Sequence, residues 1–126
     1  MGFPTTDECL RKAEEALGVQ LPAELRERLR RDNGGEVEAA DDVWQLFPVQ
    51  DTADRKRLSR TANHIVRETT EARKSPGFPP AAVAIASNGA GDYLILDPTQ
   101  RPADMLTVLL WYHEGGSAQP VHVTWR

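Results

Sequence analysis

The chain is expected to form one α+β domain, a mainly antiparallel sheet packed against N-terminal helices and one longer middle helix. Three observations predict this. Helical periodicity in the first third and the middle of the chain gives way, after the proline-rich stretch 75–80, to short β-rich runs separated by turn residues. Two glycine turns, Asn33-Gly34-Gly35 and Asn88-Gly89-Ala90-Gly91-Asp92, fall where helix pattern changes to strand or where one strand run meets the next. Finally, 126 residues with 40% hydrophobic and 27% charged side chains match the size and composition of a single globular core.

The elements follow in order. Thr5-Thr6-Asp7-Glu8 reads as a capping box with Thr5 as N-cap and Glu8 reaching back. Cys9, Leu10, Ala13, Ala16 and Leu17 then recur at helical spacing until Gly18 stops the helix. Pro22 suits the first turn of a second helix, whose stripe of Leu25 and Leu29 lies opposite Glu24, Arg28 and Arg31, and Asn33-Gly34-Gly35 ends it. Aromatic and β-branched residues at 43–48, closed by a proline, predict a strand. From 51 to 74 helical spacing returns, with Leu58, Ala62, Ile65, Val66 and Thr69 on one side. Runs at 83–86, 93–97, 106–112 and 121–125 read as strands, and the nearly continuous hydrophobes of 107–112 suggest a central strand covered on one face by helices.

Several function classes are disfavoured. The longest apolar runs are too short for a membrane span, and no basic segment followed by an apolar one opens the chain, so a cytoplasmic location is expected. Cys9 is the only cysteine, which forbids an internal disulfide and suits a small buried hydrophobe. Neither glycine turn is a phosphate loop, because a strand follows the second one where a nucleotide fingerprint needs a helix. No serine or cysteine occupies a nucleophile-elbow context. Asp92, His113 and Glu114 could be pictured as a small hydrolase or metal-dependent site. However, adjacent residues on a strand face opposite ways, and no further ligands are spaced to complete a site, so no cofactor or metal is expected. A hairpin-fixing role for Asp92 and a strand-end anchor for His113 fit better, and His64 and His122 read as ordinary side chains. The block Arg55, Lys56, Arg57 and Arg60 reads as a solvated helix face rather than a nucleic-acid footprint in a chain of net charge −4.

Read together, several elements resemble the SUKH superfamily, which contains fungal cell-wall-assembly regulators and many bacterial immunity proteins. They are Leu17-Gly18, Leu21-Pro22, Asn33-Gly34-Gly35, Trp44 with Leu46-Phe47-Pro48, the turn from Ile85 through Asp92, and Trp111-Tyr112-His113-Glu114, in that order. The resemblance implies a single SUKH-like domain over residues 1–126, in which Pro22, Gly34, Gly35, Gly89, Gly91, Asp92, Trp111 and His113 act as structural markers. It also implies a non-enzymatic protein-binding module, foremost an immunity protein that neutralises a cognate toxin, and alternatively a regulatory scaffold binding a non-toxin client. No catalytic residue is carried over by it.

Charge distribution supplies the candidate surface. Asp32, Glu36, Glu38, Asp41, Asp42, Asp51 and Asp54 occur with no lysine or arginine between them. Such a segment is either a solvated loop or a docking surface for a basic protein, such as a nuclease toxin with a cationic cleft. In the second case Glu36, Glu38, Asp41 and Asp42 carry the interaction, with Trp44 as an anchor if its ring is exposed. Neither nucleic acid nor membrane is expected as a partner.

Overall fold

The computed structural model describes residues 3–99 and 107–125. Helix α1 (Asp7–Leu17) begins one residue later than its sequence suggests, with Thr6 as N-cap accepting the Cys9 N–H at 3.2 Å. Thr5 is occupied elsewhere: it is buried and its N–H donates to the Arg30 carbonyl, tying the N-terminal segment to the next helix. Glu8 pairs with Lys12 at 3.5 Å instead of closing a capping box. Gly18, at φ 74°, ends the helix as expected.

Helix α2 (Ala23–Arg31) starts after Pro22 and buries Leu25 and Leu29. Arg28, expected on the solvent side, is only 3% exposed. Its guanidinium turns back across the helix end to donate to the Asp32 and Glu36 carbonyls. The helix stops at Asp32 in extended conformation, just before the glycine turn rather than on it. The turn's Asn33 side chain is buried and donates to, and accepts from, the main chain of Val49.

Much of the acidic segment is a β-hairpin rather than a loop. Strands β1 (Glu36–Ala39) and β2 (Asp42–Leu46) pair antiparallel, burying Val37, Ala39, Trp44 and Leu46 on one face. The period-2 alternation gives each strand one apolar side. The two-residue tip, Ala40 and Asp41, has φ of 52° and 59°, the geometry that two-residue hairpins demand and that Asn-Gly usually supplies.

The middle helical segment spans 55–72 as two helices, α3 (Arg55–Arg60) and α4 (Ile65–Ala72). The break has local causes. Thr61 Oγ1 accepts the Asp51 N–H, the Ile65 N–H donates to the Pro48 carbonyl, and His64 Nδ1 caps α4 by accepting the Arg67 N–H. The Ile65 N–H, which would continue one helix, is thus spent on the connection from β2, and Leu58 is left 44% exposed. Helix α4 docks on the sheet through Thr69, whose hydroxyl pairs with both the N–H and the carbonyl of Ala84.

Strands β3 (Val83–Ser87), β4 (Tyr93–Leu96), β5 (Leu109–Trp111), β6 (Ala118–Pro120) and β7 (Val123–Thr124) complete, among the described residues, a seven-stranded antiparallel sheet of order β6-β5-β4-β3-β2-β1-β7. The central strand is β3, buried from Val83 to Ala86, and not the 107–112 run, whose strand lies next to one end. Leu106 falls outside the described residues. The apolar character of that run instead serves an aromatic cluster in which Trp111 lies 5.1 Å from Phe78 and 6.1 Å from Tyr93. The predicted run 121–125 holds only β7, which pairs with β1, whereas β6, just before that run, pairs with β5 at the other end of the sheet. Only Val121 and His122 separate Pro120 from Val123, a reach of at most about 11 Å. The sheet must therefore curl until one bent segment joins its two ends.

Candidate functional site

The hairpin tip and the bend of the closing segment form the walls of an open depression of about 620 Å³. Glu38 faces outward from β1, opposite Val43 on β2 and Thr124 on β7. Asp41 is exposed at the tip. Asp42 Oδ1 accepts the Val43 N–H at 2.8 Å, and its other oxygen faces Asn88 Nδ2 at 3.5 Å. Glu38, Asp41 and Asp42 thus line one concavity together with Val43, Val121, His122 and Thr124.

Two of the five residues anticipated for docking lie elsewhere. Glu36 sits at the far end of β1, where its carboxylate accepts the Gln45 amide at 2.8 Å. Trp44 is 1% exposed and its indole N–H donates to the Ala39 carbonyl, so its ring is a core element and not a surface anchor. The exposed apolar side chain beside the acidic groups is Val43, at 47% exposure. Sequence reasoning missed Val43, although it alternates with Trp44 and must point the opposite way once Trp44 is inside. His122 and Thr124 were not legible as neighbours of the tip, because only the curled sheet brings residues 80 positions away to it.

The second glycine turn builds a different cluster. Asn88 Oδ1 accepts the Ala90 N–H at 2.9 Å, and its amide donates to Asp92 Oδ2 at 3.2 Å. Asp92 Oδ1 accepts the His113 main-chain N–H at 3.0 Å and lies 2.7 Å from His113 Nδ1. Gly91 has φ 98°, which favours glycine, and a Cβ there would crowd His113 Nδ1 at 3.1 Å. Burial alone would raise the Asp92 pKa, but the hydrogen bonds from the His113 main chain and ring and from Asn88 outweigh it and hold the carboxyl below its ordinary value.

His113 and Glu114 lie in a turn after β5, not on a strand, with Glu114 Oε1 3.9 Å from His113 Nε2. Asp92 and His113 are therefore brought together, while Glu114 stays almost fully exposed. Among the described residues no serine or cysteine is hydrogen-bonded to the pair, and no group of three or more His, Cys, Asp or Glu side chains could hold a metal ion. What the arrangement does chemically is tie the β3–β4 turn to the end of β5.

The first glycine turn is also held from within. A Cβ on Gly35, at φ 82°, would lie 2.9 Å from Arg28 Nη2, so glycine there leaves the buried guanidinium its place beneath the start of β1 and suits the left-handed backbone. Gly34 and Gly89 occupy positive φ in their turns, Pro22 accepts the Arg26 N–H through its carbonyl at the start of α2, and Trp111 lies wholly in the core. Among the described residues no helix is long and apolar enough to cross a membrane.

No curated protein and no solved structure matches the chain. The model of the SMI1 / KNR4 family (SUKH-1), by contrast, matches residues 4–125, nearly the whole length, and the chain belongs to that family.

Proposed function

We propose that the protein is an immunity protein of this family, which neutralises a cognate basic toxin by docking the β1–β2 hairpin tip against it. Family membership supports a protein-binding module of the immunity or regulator kind. The observation that carries the finer reading is the depression at the tip, where Asp41, Asp42 and Glu38 surround the exposed Val43. Carboxylates around an apolar contact speed encounter with a cationic surface, and the valine gives the docked complex a desolvated centre. A basic nuclease fits such a face, because a cleft that binds phosphates is itself positively charged.

The test is co-expression with the toxin encoded beside the gene, comparing the natural chain with Asp41→Lys/Asp42→Lys. The natural chain should restore growth and co-purify with the toxin. The variant should associate roughly tenfold more slowly at low salt and show a smaller deficit at high salt. Rescue and association rates unchanged by the variant would remove the hairpin tip from the interface. Failure of the natural chain to bind any neighbouring toxin would remove the immunity reading.

A further inference from the structure

A second charged site lies at the other end of the same hairpin, and it has the opposite sign. Hydrogen bonds from Asn33 N–H to the Phe3 carbonyl and from Thr5 N–H to the Arg30 carbonyl fix the N-terminal segment against α2. This places the Phe3 ring beneath α3, where Arg57 and Arg60 lie 4.9 Å from its centroid and Lys56 lies 5.8 Å from it. Three cations converge on one half-buried aromatic side chain. Cation–π attraction offsets part of their mutual repulsion but does not neutralise them.

Only Arg57 has acidic partners, Asp51 at 3.8 Å and Asp54 at 3.9 Å, both at the outer limit of an ion pair. Lys56 and Arg60 make no ion pair among the described residues. Arg57 and Arg60 line an open groove of about 400 Å³ that also takes in Phe3, Gln45, Pro48 and the buried Asp51, the carboxylate already paired with Arg57. It shares no lining residue with the acidic depression.

We infer that this groove is a second docking site, which takes an acidic peptide segment of a partner protein. The guanidinium forks of Arg57 and Arg60 in the groove, with Lys56 beside them over the Phe3 ring, match carboxylate side chains, and Pro48 gives the segment an apolar contact. A nucleic-acid strand fits less well. Its bases need an open aromatic face to stack on, and the Phe3 ring is already contacted by cations. A polyanion would also meet a chain of net charge −4, whereas a short acidic segment meets only the local field.

The test uses fluorescence anisotropy of a fluorescein-labelled hexaglutamate peptide, at about 50 mM salt so that the Debye length spans the groove. The natural chain should bind it saturably. Lys56→Glu/Arg60→Glu should weaken binding about tenfold, the combined effect of losing two exposed ion pairs. Lys56→Gln/Arg60→Gln, a milder change on the exposed helix face, should weaken it in the same direction. The charge-matched control Arg11→Glu/Lys12→Glu, on exposed positions of α1, should leave it within about twofold. Absence of saturable binding, or equal weakening by the control, would overturn the site. Tighter binding of a labelled dodecathymidylate would assign the groove to nucleic acid instead. Self-association of the chain that disappears in Asp41→Lys/Asp42→Lys would make the occupant a second copy.

Discussion

Asn33→Ala is expected to destabilise the fold by about 3 kcal/mol, although Asn33 lies in what reads as an ordinary turn. Its side chain is 7% exposed, and both polar atoms are used on Val49, a residue with no exposure at all: Nδ2 donates to the carbonyl and Oδ1 accepts the N–H, each at 2.9 Å. Truncation leaves that N–H and that carbonyl buried without partners. Each orphaned group costs about 1–3 kcal/mol, so the pair gives roughly 2–6, with the lower half favoured if a water enters the space left behind. Asn33→Asp should do no better at neutral pH, because it keeps the acceptor but sets a second anionic oxygen against the Val49 carbonyl. Urea denaturation followed by tryptophan fluorescence suits the measurement, since Trp44 and Trp111 are both buried and report loss of the core. A loss below about 1 kcal/mol for Asn33→Ala, at unchanged m-value, would refute the claim that this amide staples the glycine turn to the strand exit.

Ala40→Gly should stabilise the hairpin. Ala40 sits at φ 52°, where an L-residue costs about 1–2 kcal/mol, and glycine returns roughly 0.5–1 of that as chain entropy. The net gain of up to about 1 kcal/mol corresponds to a rise of about 2–4 °C in Tm by calorimetry, and a fall would show that the tip is not strained. Asp92 should make the fold acid-sensitive in a defined window. Its folded pKa lies below the ordinary 3.8, so the unfolded chain takes up the proton more readily. The stability it contributes is complete above about pH 5 and disappears as pH falls past 3.8 through the folded value. Urea midpoints of the natural chain and Asp92→Asn should therefore converge between about pH 5 and pH 2, and a gap that stays constant would mean the carboxylate charge is not what matters.

Where side-chain period and local punctuation act alone, the fold was legible. Leu10 with Ala13, Leu25 with Leu29, and the alternating strand around Trp44 all face inward as their spacing dictates. Gly18 ends α1 because a left-handed residue there needs no tertiary help. Two of the failures share a cause, which is tertiary competition for backbone groups. Thr5 had the better capping pattern but was claimed by Arg30, so Thr6 took the cap. The segment 51–74 has helical spacing throughout, yet the Ile65 N–H donates to the Pro48 carbonyl and divides it. The β1–β2 hairpin was missed because its tip is Ala40-Asp41, without the Asn-Gly that normally announces a two-residue loop.

The candidate site was legible in charge but not in shape. The run of carboxylates from Asp32 to Asp54 reads as one acidic field, yet folding distributes it. Asp51 turns inward to serve the base of α3, Glu36 goes to one end of β1, and Asp41 and Asp42 go to the other. Strand geometry forces this separation, since four residues of β-strand span about 13 Å, more than a Debye length at physiological salt. The two ends of the hairpin therefore act as separate electrostatic sites. The tip remains acidic, whereas the base is overwritten by Arg57 and Arg60 from α3. Summed over the sequence, those cations merely offset the acidic run; in space they lie at one end of it, which turns a segment of one sign into a hairpin with two differently charged ends.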